Sequence, residues 1–421
     1  MEFKVESFCQ PYLAQGAGRL DSIITVSSTA SQAAARSDAV IGLIIDVSGS
    51  MQGDRIVAAK NATRRAIAML NDNTHFFVVA FSTGAKLVYP LSQATAAQRT
   101  AADDAVRRLE AGGTTVMSRA LQVACEQFQR MPGAIHKALF LTDGKNNDND
   151  GALLEQALQA SEGTFQCDCR GVGTDWEPNQ LRKIALKLLG TAQIIAEPAQ
   201  MEADFHRSID SALAMAVTGV QLRLWHPKSA KLLTVKQMSP EIVPLTEKGK
   251  SADGQTWDFP TGAWGSESRD YYVAMQLSPG DMGDEMLAVR PSVVFHADGA
   301  DQKAVGPNVV ATWTDDESLS TRINPEVAHY TGQEELAQEI QEGLEAREKG
   351  DEDSATVHLG RAAKLAHESG NDETTNRLKK VVDIVDADHG TVRLRRDAKK
   401  ADTMDLDLGS SRTARRPSRT A

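Results

Sequence analysis

Strand and helix patterns alternate regularly between residues 38 and 216. Continuous apolar runs, such as FFVVAF at residues 76–81, are typical of strands that helices cover on both faces. Strands are predicted over residues 39–46, 75–82, 85–90, 135–142, 165–173 and 191–196. Helices are predicted over residues 54–71, 95–110, 117–131, 151–161, 178–189 and 199–216. The alternation predicts an α/β fold with a doubly wound, mostly parallel sheet.

Oxygen-bearing side chains follow or connect several of these segments. The pentapeptide DVSGS follows the first apolar run, an aspartate follows the run at 137–142, and a threonine pair precedes the helix predicted at 117. These residues are Asp46, Ser48, Ser50, Asp143, Thr114 and Thr115. Ligands bind at the carboxyl ends of parallel strands, so both aspartates are expected at one edge of the sheet. Oxygen ligands of this kind suit a hard divalent cation rather than zinc.

Together these loops resemble the metal ion-dependent adhesion site of the von Willebrand factor A (vWA) family, and the resemblance covers about residues 38–216. In that family a DxSxS loop, a threonine from a second loop and an aspartate from a third surround one cation. A carboxylate from a partner protein completes the shell. The resemblance implies that Asp46, Ser48, Ser50 and Asp143 hold Mg²⁺, or alternatively Mn²⁺ or Ca²⁺, and that the partner presents Asp or Glu.

The family's metal-binding threonine has two candidates in this chain. Counting back from the helix that begins near residue 117 gives Thr115, whereas counting forward from the glycine pair at 112–113 gives Thr114. The helix spacing favours Thr115. Asp175 and Trp176 follow another predicted strand at the same edge, so they either shape the partner surface or form an ordinary turn.

The rest of the chain has a different pattern. Residues 218–325 contain short runs that alternate apolar and polar residues between Pro/Gly turns, which is typical of antiparallel strands with one solvated face. Residues 1–37 share this pattern, so they are predicted to pair with 218–325 in one β-sandwich into which the vWA domain is inserted. Residues 331–389 are predicted to form a helical appendage, and residues 391–421 a disordered tail.

Composition excludes several classes of function. The formal net charge of −11 argues against general nucleic-acid binding, which needs a basic surface. No stretch reaches the roughly 18–20 apolar residues of a membrane span, and the first residues lack the pattern of a signal peptide. A cytoplasmic location is therefore predicted, and the domain layout resembles that of bacterial vWA proteins.

The sequence favours a binding protein over an enzyme. It contains no phosphate-binding GxxxxGK[ST] loop, no GxGxxG after a strand and no GxSxG nucleophile motif. Phosphatases of the haloacid-dehalogenase class use a DxD motif, and here Ser48 stands in place of the second acid. The predicted function is a metal-dependent adaptor or scaffold. A divalent-metal-dependent phosphoester hydrolase and a co-chaperone subunit of an AAA+ ATPase remain alternatives.

The predicted tail is rich in hydroxyl side chains. A phosphate on Thr403 or Thr413 would add nearly two negative charges and create a docking point for an arginine-lined reader. The domain layout also resembles proteins that work with Ser/Thr kinases, phosphatases and forkhead-associated proteins. Two interpretations of the tail are therefore open: a segment that is phosphorylated in signalling, or a solvated terminus without a specific function.

Overall fold

A computed structural model describes residues 1–29, 38–297 and 299–415. The chain divides into two compact units. One unit is Ala35–Thr218, and the other combines Met1–Ala34 with Gly219–Ala421. The first unit is thus inserted in the sequence of the second, as predicted.

The N-terminal stretch forms three strands, which belong to the second unit. They are β1 (Glu2–Cys9), β2 (Tyr12–Ala14) and β3 (Arg19–Thr29). Because successive side chains of a strand point to opposite faces, the alternation in β1 buries Phe3 and Val5 together on one face.

The inserted unit is built on a six-stranded sheet. Its strands are β4 (Ala39–Asp46), β5 (Thr74–Phe81), β6 (Ala85–Gln93), β7 (Ile135–Thr142), β8 (Gln166–Val172) and β9 (Ala192–Ile195). They lie in the order β6-β5-β4-β7-β8-β9. Only the pair β5–β6 is antiparallel among the neighbours in this sheet.

Helices cover both faces of this sheet. They are α1 (Asp54–Met69), α2 (Ala96–Arg107), α3 (Met117–Phe128), α4 (Gly151–Ser161), α5 (Pro178–Lys187) and α6 (Met201–Leu213). Ile41, Leu43 and Ile45 of β4 share one apolar cluster with buried residues of α1, α2 and α6. On the opposite face, Gly42 leaves space for Phe128 of α3, whose ring a Cβ at Gly42 would approach to 2.9 Å. The prediction of a doubly wound α/β fold is confirmed.

The register of β4 brings the predicted metal-binding loops together. Asp46, the last residue of β4, pairs with Phe81 of β5, while Ile45 pairs with Leu141 of β7. Asp46 and Asp143 therefore leave adjacent parallel strands at the same edge of the sheet.

The second unit contains a two-sheet sandwich. Its further strands are β10 (Val217–Trp225), β11 (Ala230–Ser239), β12 (Val243–Pro244), β13 (Lys250–Ser251), β14 (Thr256–Trp264), β15 (Ser268–Leu277), β16 (Glu285–Ala297), β17 (Ala300–Val305) and β18 (Val309–Thr314). One sheet has the order β1-β3-β15-β11-β12. The other has the order β13-β14-β10-β16-β18-β2, with β17 on β16. The N-terminal strands thus enter both sheets: β3 pairs with β15, and β2 runs parallel to β18.

Helices follow the sandwich strands. They are α7 (Glu317–Ser320), α8 (Pro325–Glu348), α9 (Glu352–Glu368) and α10 (Asp372–Val381). The helical prediction for residues 331–389 is wrong at its end, because residues 382–386 form a strand, β19 (Val382–Asp386), that pairs with β20 (Thr391–Leu394). The β-branched residues Val382 and Ile384 explain this change, since they favour extended backbone.

The predicted disordered tail is also wrong over the described residues up to 415. After β20 the chain forms α11 (Lys400–Gly409), which buries Met404, Leu406 and Leu408. The following residues dock on the sandwich: the Ser411 carbonyl accepts the Ile242 N–H at 2.8 Å. Tertiary burial orders this segment although its own apolar pattern is weak. Residues 416–421 of the predicted tail lie outside the described residues.

A buried carboxylate joins the sandwich to α8. Asp270 of β15 accepts hydrogen bonds from the hydroxyls of Thr25 and Tyr330. Arg415 lies 3.2 Å from the same carboxylate. Tyr330 also packs in an apolar cluster with Ile23 and Met238, so α8 is held by both polar and apolar contacts. Across residues 1–29, 38–297 and 299–415, the helices are too short or too polar to cross a membrane.

Candidate functional site

Asp46 is fully buried at the end of β4. Its Oδ1 accepts the backbone N–H of Ser48 at 2.7 Å, and its Oδ2 accepts the Thr142 hydroxyl. Burial raises the pKa of Asp46 to about 6, although these hydrogen bonds act in the opposite direction, and the nearby charge of Asp143 raises it further. The ionised form of this carboxylate would therefore be favoured by a positive charge at the site.

Ser50 lies on a short helical turn, Gly49–Met51, and Ser48 directly precedes this turn. The hydroxyl oxygens of Ser48 and Ser50 are 3.0 Å apart. Ser50 donates a hydrogen bond to Asp143 Oδ1 at 2.6 Å. Ser48 and Asp143 are buried while Ser50 is exposed, so the cluster opens to solvent at Ser50.

The structure places the two candidate threonines differently. A Cβ built on Gly144 would lie 3.0 Å from Thr115 Oγ1, 3.3 Å from Ser50 Oγ and 4.0 Å from Ser48 Oγ. The Thr115 hydroxyl therefore belongs to the cluster around Gly144. Thr114 is exposed, and its hydroxyl lies 3.3 Å from that of Thr83. The helix-based count, rather than the glycine-based count, matches this arrangement.

Backbone hydrogen bonds fix the loops relative to one another. The Gly49 N–H donates to the Gly113 carbonyl at 2.9 Å, and the Asn147 N–H donates to the Thr115 carbonyl at 2.8 Å. Asp150 is buried and accepts the Ser118 N–H at 2.9 Å, which satisfies a free donor in the first turn of α3. The threonine loop is thus held at both ends.

Arg55 is part of the site and was missed from the sequence. Its Nη1 donates to Asp143 Oδ2 at 2.7 Å, and its Nη2 donates to Asp175 Oδ2 at 3.0 Å. The Asp143 side chain is fully buried, whereas that of Arg55 is 28% exposed. The sequence signal for it was weak: a basic residue in the first turn opposes the helix dipole, but the neighbouring Asp54 already supplies negative charge there.

Trp176 does not shape a surface, because it is buried. Its ring lies against Gly171, where a Cβ would approach the ring to 2.0 Å, and its indole N–H donates to the Gly173 carbonyl at 3.0 Å. The ordinary-turn interpretation therefore holds for Trp176. Asp175 is exposed and, through Arg55, borders the cluster.

The donor set at this edge consists of two carboxylates and three hydroxyls, from Asp46, Asp143, Ser48, Ser50 and Thr115. Oxygen-only donors fit Mg²⁺, Mn²⁺ or Ca²⁺, and the two buried carboxylates supply negative charge that Arg55 only partly balances. The predicted phosphosites lie in the other unit: Thr403 is in α11, and the Thr413 hydroxyl donates to the Met238 carbonyl.

The inserted unit matches the family model of the von Willebrand factor type A domain over residues 41–202, and residues 364–410 match that of the von Willebrand factor type A C-terminal domain. The chain is 43% identical to the solved structure of a von Willebrand factor type A protein from Catenulispora acidiphila. The alignment covers 99% of this chain and 97% of that one, with a TM-score of 0.93. The chain therefore belongs to the von Willebrand factor type A family.

More distant proteins share the fold or part of the sequence. The ArnB paralog VWA2 from Sulfolobus acidocaldarius superposes with a TM-score of 0.61 over 97% of each chain at 17% identity, which shows similarity of fold alone. An uncharacterized Synechocystis protein is 28% identical over half of this chain and 51% of its own length. Human inter-alpha-trypsin inhibitor heavy chain H4 is 29% identical over 42% of this chain, but over only 20% of its own length.

These similarities establish the general class of the inserted domain. The chain spans about half the length of the first of these curated relatives and a fifth of the second. Domains of this family are generally protein-interaction modules, are typically not enzymes, and commonly bind a divalent metal at an adhesion site.

Proposed function

We propose that the chain is an adaptor or scaffold that binds a partner protein through a divalent cation. The observation that carries this proposal is the convergence of three hydroxyls, from Ser48, Ser50 and Thr115, beside the buried carboxylates of Asp46 and Asp143. Helix or turn capping would explain one such loop, but not three loops meeting at one sheet edge.

The residues of this cluster would divide the binding of Mg²⁺ between them. Ser48, Ser50 and Thr115 offer hydroxyl oxygens, whereas both oxygens of Asp46 already accept hydrogen bonds from Ser48 and Thr142. Asp46 would therefore contribute mainly its negative charge, and it would contact the Mg²⁺ through a water molecule. When bound, the cation supplies a Lewis-acidic position that accepts an additional anionic oxygen.

The chemistry of that position selects an acidic partner. A hydroxyl-rich shell leaves a divalent cation short of negative charge, so an Asp or Glu side chain of the partner would complete it. Arg55, which is 28% exposed and lies beside Asp143, adds positive charge for the same ligand. Cation and partner are thus expected to bind cooperatively.

The matched pair Thr115→Ala and Thr114→Ala tests the site. Mg²⁺ should raise the thermal stability of the wild type and of Thr114→Ala, because a ligand that binds only the folded state stabilises it. The stabilisation should be largely lost in Thr115→Ala and in Asp46→Ala. Equal responses of the two threonine variants, or no response in the wild type, would contradict the proposal.

A second experiment tests the binding function. The wild type and Asp46→Ala are each used for affinity capture, with Mg²⁺ and with chelator, and the acidic residues of the captured protein are then changed to amides. The partner should bind only to the wild type with Mg²⁺, and its amide variant should not bind. Identical binding in all four samples would refute the mechanism, and turnover of phosphoesters would favour the hydrolase alternative.

The finer predictions belong with this proposal. A role in Ser/Thr phospho-signalling, with a kinase, phosphatase or forkhead-associated protein as partner, and a cytoplasmic location stay predictions from the sequence. Thr403 is partly exposed in α11, whereas the Thr413 hydroxyl is engaged with the sandwich, so Thr403 is the more accessible of the two proposed phosphosites. A phosphate on Thr413 would have to displace the docked segment.

A further inference from the structure

A cluster of metal-ligating side chains lies between α8 and α9, in the unit that does not contain Asp46. Glu339 and Glu342 are three positions apart on α8, so they share one face of that helix. His358 of α9 faces them: its Nδ1 is 2.8 Å from Glu339 Oε2 and 3.3 Å from Glu342 Oε2. All three candidate ligand atoms lie within 4.8 Å of one another.

A glycine permits this close approach of the two helices. A Cβ on Gly343 would lie 2.7 Å from the Leu359 side chain and 3.2 Å from His358 Cβ. With no side chain at position 343, α9 packs closely enough for His358 to reach both glutamates.

Two carboxylate oxygens of the cluster compete for one hydrogen of His358. The Nδ1 atom carries at most one hydrogen, yet two carboxylate oxygens approach it. The Glu339 side chain is only 9% exposed, so the repulsion between the two carboxylates is screened less than it would be in bulk water. A cation that accepts electron pairs from all three atoms would remove this conflict.

Neighbouring side chains already orient the glutamates as ligands. Arg361 Nη1 lies 3.3 Å from Glu339 Oε1, and Gln338 Nε2 donates to Glu342 Oε1 at 2.8 Å. In both glutamates one oxygen is therefore held by a neighbour, and the other, Oε2, points at His358. Partners of this kind fix the orientation of metal ligands in known sites.

We propose that Glu339, Glu342 and His358 form a second site, for a divalent cation of the zinc type. One imidazole nitrogen and two carboxylate oxygens suit Zn²⁺ better than the harder Mg²⁺. Zinc bonds of about 2.0–2.1 Å place tetrahedral ligands about 3.3 Å apart. The separation of 3.3 Å between His358 Nδ1 and Glu342 Oε2 matches that value, and the 2.8 Å to Glu339 needs only a small opening.

The site has an approach from solvent. A cavity of about 240 Å³ adjoins the cluster and is lined by Glu342 and His358 together with Glu345, Lys349, Asp351 and Ser354. A cation held by three protein atoms would keep a fourth position open toward this cavity. The proposal does not depend on the Asp46 site, which lies in the other unit.

Zinc titration of the full chain tests the proposal, with excess Mg²⁺ present to occupy the Asp46 site. Isothermal calorimetry should detect one zinc equivalent in the wild type. The affinity should fall at least about tenfold in His358→Asn and in Glu342→Gln, both of which change partly exposed side chains. Gln338→Ala, which removes only an orienting partner, should lose about tenfold.

The matched control is His367→Asn, because His367 lies on the same helix but contacts Asp388 at the surface. It should bind zinc as the wild type does. Circular dichroism of each variant verifies that the helices are intact. The proposal is overturned if the wild type shows no saturable zinc site, if folded His358→Asn binds as the wild type does, or if His367→Asn loses the same affinity.

Discussion

Arg55 and the proposed Mg²⁺ act on the same buried carboxylate, and Arg55→Ala tests this relation. The guanidinium of Arg55 lies 2.7 Å from Asp143 Oδ2, and the Asp143 side chain is fully buried. Without a cation, removal of Arg55 leaves Asp143 and Asp46 as neighbouring buried acids. With Mg²⁺ bound, the divalent charge replaces the one that was removed.

The size of the effect follows from the geometry. Two unit charges about 4 Å apart attract by about 4 kcal/mol at an effective dielectric constant of 20. Solvent screening at the 28% exposed Arg55 reduces this, so a loss of about 2–3 kcal/mol in the free energy of unfolding is expected in chelator. The loss should shrink to about 1 kcal/mol in saturating Mg²⁺. The difference corresponds to an approximately tenfold gain in Mg²⁺ affinity for Arg55→Ala.

Urea denaturation with chelator and with Mg²⁺ measures these free energies. If the two units unfold in separate transitions, the one whose midpoint shifts with Mg²⁺ is used. Arg65→Ala is the control, because Arg65 lies on the same helix but pairs with Glu202 at the surface, with side chains 71% and 54% exposed. It should change stability by less than about 0.5 kcal/mol in both conditions.

Two results would refute the reasoning. A loss as large in Mg²⁺ as in chelator would mean that the cation does not compensate for Arg55. Weaker Mg²⁺ binding by Arg55→Ala would mean that Arg55 positions Asp143 for the cation instead of substituting for it.

Two further predictions concern buried polar groups. Tyr330→Phe removes a donor from the buried carboxylate of Asp270 and should cost about 1.5–3 kcal/mol in thermal denaturation. Tyr271→Phe should cost less than about 1 kcal/mol, since the buried Tyr271 hydroxyl lies near Arg269 and Thr261 but forms no hydrogen bond of good geometry among the described residues; equal costs for the two variants would contradict this account. Burial raises the pKa of Asp168, but the charges of Lys137 and Arg170 and the hydrogen bonds from Lys137 and Thr191 together lower it by more. The folded pKa therefore lies below the ordinary value, and the stabilisation is lost as pH falls below about 4. Asp168→Asn should therefore be less stable than the wild type at pH 7, yet it should lose less stability than the wild type between about pH 5 and 3. Urea titrations at each pH measure both free energies of unfolding. Parallel pH profiles of the two proteins would show that Asp168 does not contribute to the pH dependence.

The inserted fold was predictable because its central strands β4, β5 and β7 contain continuous apolar runs. Their short length and their alternation with helical patterns favoured strands that are covered on both faces, so the positions of β4 and β7 followed from the sequence. The helix at the end of the chain was not predictable, because its apolar residues do not follow a helical period. Met404, Leu406 and Leu408 of α11 are spaced two apart, which is not a helical period, and they are ordered only because other elements bury them.

The candidate site was partly predictable for a topological reason. Parallel neighbours β4 and β7 end at one edge, so Asp46 and Asp143 could be placed together without coordinates. Between Thr114 and Thr115, the count from the helix favoured Thr115, which is the residue found beside Gly144. The count from the glycine pair favoured Thr114 instead, because it depends on a loop conformation that spacing does not fix: Gly113 has φ +86°. Arg55 was missed because its partner, Asp143, is 88 positions away in sequence.

The insertion of one unit into the other sets an order of events during synthesis. Strand β3 pairs with β15 in a register that joins Ser22 to Val273, 251 residues later. A ribosome adding about 5–20 residues per second needs roughly ten to fifty seconds to supply that partner. The inserted domain, whose strand pairs span much shorter separations, can fold within this interval. During this interval the partners of the N-terminal strands in β15 and β18 have not yet been synthesised, so these strands expose unpaired backbone N–H and C=O groups. The nascent chain is therefore most vulnerable to aggregation before β15 emerges.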